Sequence, residues 1–220
     1  MDGTGHLYAR LMQALPHTWK ISSLQYPSEV PAGYDQLLQM VRLMVPDRPF
    51  LLIAESYSTP LAIRFAAAKP QHLKGVVLCC GFVASPVRGW RRWAVRLFAP
   101  AFFVLPLSKW AVEGFLLGKH ADLTLLTEVR CAIASVRSEV LTARLREIIA
   151  CDVIADIAGI DAPILYLQAK DDRLLGSECL AKVERHASRL TIEQISGPHL
   201  LLQREPVRTA EAIARFVANL

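Results

Sequence analysis

The stretch Arg48-Pro-Phe-Leu-Leu-Ile-Ala-Glu-Ser56-Tyr-Ser-Thr-Pro-Leu-Ala-Ile-Arg-Phe-Ala-Ala-Ala-Lys69 decides how the rest of the chain is read. Phe50 to Ala54 is a short apolar run of strand length behind Pro49. Leu61 to Ala68 is alanine-rich, with apolar side chains at helical spacing. Ser56 stands at the joint, with Ala54 two residues before it and Ser58 two after. A serine between a buried strand and a helix, with small neighbours at those two places, has the form of a nucleophile elbow. The neighbours must be small because the serine is held in a strained backbone conformation that leaves little room beside it. The usual form has glycine at both places, here replaced by Ala54 and Ser58. A plain helix N-cap is therefore the competing reading of Ser56.

Strand and helix signals alternate outward from this stretch. Asp2-Gly3-Thr4-Gly5 is a glycine-rich loop, followed by a helical pattern from Leu7 to Leu15 that stops at Pro16. Trp19 to Tyr26 is predicted as a strand, and Tyr34 to Met44 as a helix closed by Pro46. Gly75 to Phe82 is a wholly apolar strand of the kind a parallel sheet covered on both faces requires. From Ser85 to Cys151 the pattern is helical, broken by prolines and by Gly118. Trp90, Trp93, Phe98, Phe102, Phe103, Trp110 and Phe115 crowd its first half. Strands are predicted again over Ala162–Gln168 and Leu190–Ile195, with helices over Glu178–His186 and Pro206–Asn219. This order implies an α/β fold with a mostly parallel sheet flanked by helices. Residues 1–84 and 152–220 form its core and residues 85–151 an inserted helical lid. Lying between two strands, the insertion should sit above their carboxyl ends, where such sheets keep their sites.

At 220 residues the chain is long enough for one sizeable core. Hydrophobic residues at 53% against 20% charged exclude a disordered chain. The formal charge of +5 comes from scattered side chains, and the densest cluster, Arg88, Arg91, Arg92 and Arg96, is too small to argue for nucleic acid. The five cysteines are odd in number and lack CxxC spacing, so the expected setting is a reducing, cytoplasmic one without disulfides. No basic segment followed by an apolar one opens the chain, so no signal peptide is read. Leu97 to Leu107 is the most apolar run, too short for a membrane helix and interrupted by Pro100 and Pro106. The glycine-rich loop lacks the lysine and spacing of a phosphate loop. No cofactor or metal is expected.

A nucleophilic serine needs a base, and the base needs an orienting group. Two late loops offer them. Asp171-Asp172-Arg173 follows the strand predicted to end at Gln168, and Ser196-Gly197-Pro198-His199 follows the one ending at Ile195. Ser56, an aspartate and His199 would then share one sheet edge, in the chain order Ser, Asp, His. His6, His17, His72, His120 and His186 have no such company, and His186 reads better as a cation near a helix C-terminus.

Leu51-Leu-Ile-Ala-Glu-Ser56-Tyr-Ser58, Lys170-Asp-Asp-Arg173 and Gly197-Pro-His199 resemble the nucleophile, acid and histidine segments of serine α/β-hydrolases. The likeness is greatest to the small bacterial esterase-like branch that opens with a Gly-x-Asp-Gly-Thr-Gly loop. It covers nearly the whole chain and is weakest over the insertion. The resemblance implies Ser56 as nucleophile, His199 as general base and then acid, and Asp172 as the orienting acid, with Asp171 the alternate. It also implies an oxyanion hole from the backbone N–H groups of Tyr57 and of Met1 or Asp2.

In that family a further central strand lies between those assigned here to Trp19–Tyr26 and Phe50–Ala54, and this sequence does not contain it. The sheet is therefore expected to carry a gap. A natural chain that begins upstream of Met1 is the favoured explanation, and a shortened, inactive form the other. The expected substrate is a carboxylic ester with an apolar acyl or alcohol group, held beneath an aromatic lid. The plainer expectation for those aromatics is that they pack against the sheet. A thioesterase or acyltransferase would use the same three residues, and a catalytically silent binding protein would keep only the fold. Docking of Leu97–Leu107 on a membrane is a further, less favoured reading.

Overall fold

The computed structural model describes residues 1–87, 89, 92, 93, 95, 97, 103, 108–118 and 121–220. Trp90, Phe98 and Phe102 of the aromatic tract, Arg88, Arg91 and Arg96 of the arginine cluster, most of Leu97–Leu107 and His120 lie outside the described residues.

Among the described residues the sheet has strands β1 (Phe50–Glu55), β2 (Leu73–Cys79), β3 (Ile164–Ala169) and β4 (Leu190–Ile195), hydrogen-bonded in that order and all parallel. Alternation along each strand divides the core. Val76, Leu78, Ile164 and Tyr166 face one layer, while Val77, Cys79, Leu165 and Leu167 face the other. The first layer is covered by α3 (Thr59–Ala67), α6 (Ile154–Ala158) and α7 (Ser177–His186). The second is covered by α1 (Ala9–Ala14) and α9 (Pro206–Ala218). The runs of valine, leucine and isoleucine in β2 and β3 follow from this, since a strand covered on both faces has no solvent side to make polar.

The helices start and stop where the sequence gives reason. Helix α2 (Tyr34–Met44) buries Leu37, Leu38 and Val41 on one face. The Gln36 side chain accepts from the Gly33 N–H at 3.0 Å, and the helix ends two residues before Pro46, with Val45 as its C-cap. Helix α3 has Pro60 in its first turn, where a missing N–H costs nothing, and is buried almost throughout.

The predicted strand at Trp19–Tyr26 is not one: the segment is irregular, and β1 is the edge of the sheet. Its apolar residues are packed all the same. Trp19 and Ile21 join the core beneath β2 and β3, while Leu24 and Tyr26 join the cluster around α2 and α3. Strand-like burial without a neighbouring ladder gives the period-2 signal but not the strand.

The insertion leaves and re-enters the core through an antiparallel bridge between Ala84 and Asp152. Beyond it come a helical turn at Lys109–Ala111 that runs into a π-helix, Val112–Leu117, then α4 (Leu123–Ala134) and α5 (Ser138–Ala150). Asp122 caps α4 by accepting from Leu125 N–H. The expectation that lid aromatics pack on the sheet fails for Trp93, Trp110 and Phe115, which are 75%, 83% and 53% exposed. Phe103 packs instead against Val136, Val140 and Leu141. Among the described residues no helix is long and apolar enough to cross a membrane.

Terminal helix α9 is the main cover of the second layer, and Ile213 is fully buried in it. Ile213→Ala removes three buried side-chain carbons and should cost about 2–5 kcal/mol, read as a lower denaturant midpoint at unchanged slope.

Candidate active site

The C-terminal ends of β1, β3 and β4 deliver three side chains to one place. Ser56 follows β1 directly and has φ 51°, a left-handed conformation that serine adopts only when its surroundings impose it. Several contacts hold it there. Thr59 Oγ1 donates to the Ser56 carbonyl at 2.7 Å and accepts from Phe82 N–H at 3.3 Å. Tyr34 Oη donates to the Tyr57 carbonyl at 2.8 Å, and Tyr34 and Tyr57 stack with ring centroids 5.0 Å apart. Ser58, where glycine is usual, has its hydroxyl 2.8 Å from Tyr26 Oη.

His199 arrives on the turn after β4 and is 2% exposed. Its Nε2 lies 2.7 Å from Ser56 Oγ and its Nδ1 lies 2.7 Å from Asp172 Oδ2. The ionised carboxylate can only accept, so Nδ1 carries the proton. In a neutral ring Nε2 then accepts, and the Ser56 hydroxyl donates. Asp172 follows β3, and its other oxygen accepts from the N–H groups of Leu174 and Leu175 at 2.8 and 3.0 Å. Burial pushes its carboxyl pKa up, but the His199 hydrogen bond, the His199 charge and the two N–H groups outweigh burial and hold it below the ordinary value. Asp171 is exposed and only its backbone engages the neighbouring turn, donating to the Gly197 carbonyl at 3.0 Å. It does not reach His199.

The other described histidines lie apart from this cluster. His6 and His17 are exposed, His72 pairs with Asp47 at 2.9 Å, and His186 ends α7.

Tyr57 sits in the first turn after Ser56, where a backbone N–H has no intrahelical acceptor. The Met1–Asp2 segment is fixed by Arg144 of α5, itself 1% exposed. Arg144 Nη1 donates to the Met1 and Asp2 carbonyls at 2.8 and 2.7 Å, and Nη2 donates to the Pro27 carbonyl at 2.7 Å. Its guanidinium carbon lies 5.6 Å from the Tyr26 ring centroid, so the clamp reaches Ser58 through Tyr26. Burial pushes the Arg144 pKa down from its ordinary value. The Met1 nitrogen is here an amino group 3.9 Å from Asp2 Oδ2, and burial lowers its pKa.

Glu55, Tyr26, Tyr34 and Arg144 were not singled out from the sequence. Glu55 interrupts an apolar strand, and Arg144 shares a helix face with buried Val140 and Leu141, which are signals in hindsight. Tyr26 and Tyr34 offer none. Cys80, Asp172 and His199 place possible metal-ligand atoms within 4.8 Å of one another, but two of the three are already engaged with each other at 2.7 Å. A cavity of about 410 Å³ at the neck of the insertion, lined by Ser85, Arg92, Cys151, Asp152 and Lys182 among others, includes none of the three clustered side chains.

Neither a protein-family model nor a curated protein matches the chain. Solved structures do. A hydrolase from Oleispira antarctica superposes with TM-score 0.82 at 11% identity, over 100% of this chain and 89% of that one. A thermophilic esterase from Thermogutta terrifontis gives 0.82 at 15% identity, over 98% and 86%. An α/β-hydrolase enzyme from a Medee basin deep-sea metagenome library gives 0.68 at 14% identity, over 90% and 76%. The chain has the α/β-hydrolase fold.

Two predictions follow the charges. Arg144→Met strands three carbonyls and should cost about 3 kcal/mol or more, with faster amide exchange confined first to residues 1–5 and 26–28. Because the Asp172 pKa is lowered on folding, its stabilisation is present above the unfolded value near 3.8 and is lost as pH falls through the folded one. Asp172→Asn lacks that contribution. The stability gap between wild type and variant, measured by urea unfolding, should therefore narrow from about pH 6 to about pH 3.

Proposed function

We propose that this chain is a serine hydrolase that cleaves carboxylic esters with an apolar acyl or alcohol group through an acyl-enzyme. The observation that carries the reading is the hydrogen-bonded line Ser56–His199–Asp172, with both links at 2.7 Å and Ser56 in a strained left-handed turn. The fold neighbours are themselves named as hydrolases and an esterase, which agrees with it.

In this mechanism Ser56 Oγ attacks the ester carbonyl carbon while its proton passes to His199 Nε2. Asp172 keeps the ring in the required tautomer and stabilises the imidazolium. The carbonyl oxygen becomes an oxyanion, received by the Tyr57 N–H and by a donor from the Met1–Asp2 segment; one such donor is worth about 10²–10³ in turnover. Collapse expels the alcohol, which takes the proton from His199. Water then attacks the acyl-Ser56 carbonyl, giving its proton to His199, and the carboxylic acid leaves as Ser56 recovers its proton. The substrate's apolar group is assigned to the part of the insertion nearest His199, where Phe115 is 53% exposed and the carbonyl of the next residue, Leu116, accepts from Leu200 N–H. The cysteines, all free and four of them buried, fit a reducing compartment such as the cytoplasm.

A fluorophosphonate probe should form one covalent adduct, located on Ser56 by peptide mass and absent from Ser56→Ala. Folded wild-type protein that takes no adduct sinks the reading. On aryl esters of graded acyl length, His199→Ala should lower kcat about 10⁶-fold and Asp172→Asn about 10⁴-fold, with Asp171→Asn close to wild type. Matched thioesters in the same assay decide between esterase and thioesterase.

A further inference from the structure

We propose that Glu55, the residue immediately before Ser56, is a positioning residue that ties the His199-bearing turn to the elbow and thereby sets the His199–Ser56 hydrogen bond. The proposal rests on the serine-hydrolase reading above.

Glu55 ends β1, is 6% exposed and takes no part in the mechanism just described. Its Oε1 accepts from the Leu202 N–H at 3.3 Å and its Oε2 accepts from Gln203 Nε2 at 2.8 Å. Both donors belong to α8 (Leu201–Arg204), which begins two residues after His199. A ring is therefore closed. It runs from Glu55 through one peptide bond to Ser56, across 2.7 Å to His199, along the backbone to Leu202 and Gln203, and back to the carboxylate. Leu201 and Leu202 are fully buried, so the turn is pinned from the core side as well.

If packing alone shaped this position, an apolar residue would serve, as at Leu51, Leu52, Ile53 and Ala54 before it. A buried carboxylate is costly unless hydrogen-bonded. Burial pushes the Glu55 pKa up, with Gln203 and His199 opposing. The titratable groups around it are His199, the Met1 amino group, Tyr8 and Cys79, whose Sγ lies 3.9 Å from Oε1. Gln203 is itself 2% exposed, and its Oε1 has no hydrogen-bond partner among the described residues. The amide is thus oriented by what it donates to Glu55 and leaves its own oxygen unsatisfied. The signal in the sequence is one acidic residue closing an apolar strand next to the nucleophile.

The test is turnover per titrated site, with active sites counted by end-point fluorophosphonate labelling. That count separates a displaced histidine from a smaller folded fraction. Wild-type protein that does not label overturns the hydrolase reading itself. Where wild type labels, Glu55→Ala should lower kcat per labelled site about tenfold to a hundredfold, with KM nearly unchanged, because a small misplacement of the base slows chemistry more than binding. Glu55→Gln should recover most of that loss, since its amide oxygen can accept from Leu202 and, once the Gln203 amide turns over, its NH₂ can donate to the Gln203 oxygen. Gln203→Ala keeps the carboxylate and removes one anchor, and should cost several-fold; it decides the matter if Glu55→Ala does not fold. The double variant should be no slower than Glu55→Ala alone. Wild-type turnover per labelled site in Glu55→Ala or Gln203→Ala, or additive losses in the double variant, overturns the proposal.

Discussion

The hydrogen bond between Asp172 and His199 depends on β3 and β4 ending together at the edge where β1 delivers Ser56, and the site depends on that bond. With 2.7 Å at each link, the line Ser56–His199–Asp172 leaves little slack. Parallel pairing supplies the precision: Ala54 stands beside Leu78, Tyr166 beside Ile192 and Ala169 beside Ile195, so the strand ends are in register before any loop begins. The groups are also largely withdrawn from water. His199 is 2% exposed, and each hydrogen bond is stronger there than it would be in solvent. An unpaired carboxylate in the same place would be costly, which is why Asp172 also collects two backbone N–H groups.

The strain at Ser56 is upheld by polar contacts from several parts of the chain. A left-handed serine costs on the order of 1–3 kcal/mol and persists only where neighbours over-determine it. Thr59, Tyr34 and the Tyr26–Ser58 pair do so here. Arg144 then joins α5 of the insertion to Met1, Asp2 and Pro27 with one buried cation. The insertion is linked to the histidine turn as well, since Leu200 N–H donates to the Leu116 carbonyl and Gly118, at φ 70°, brings its backbone against Pro198. A Cβ at Gly118 would lie 3.3 Å from that proline ring. The insertion and the core are thus coupled next to His199.

Most of the fold was legible because its signals are local. Apolar runs behind prolines became β1 and β3, and helical spacing placed α2 at Tyr34–Met44 without a shift. The three loop residues were legible from their chain order and their places after strands. Asp172 and Asp171 could not be separated by spacing, and what separates them is direction: one turns inward to His199, the other outward to solvent. Trp19–Tyr26 misled because its apolar residues are buried by helices and loops instead of by a ladder. Glu55 and Arg144 were missed because their partners lie up to 148 and up to 143 residues away in the chain, and no local pattern encodes such pairings.

The hydrogen-bonded line Ser56–His199–Asp172 is already formed in the resting protein, with its proton on His199 Nδ1. Proton NMR on uniformly labelled protein tests this directly. A strongly downfield imidazole N–H resonance assigned to His199 is expected, one that survives in Asp171→Asn and disappears or moves far upfield in Asp172→Asn. A wild-type spectrum without such a resonance under slow-exchange conditions, or one unchanged by Asp172→Asn, would contradict it.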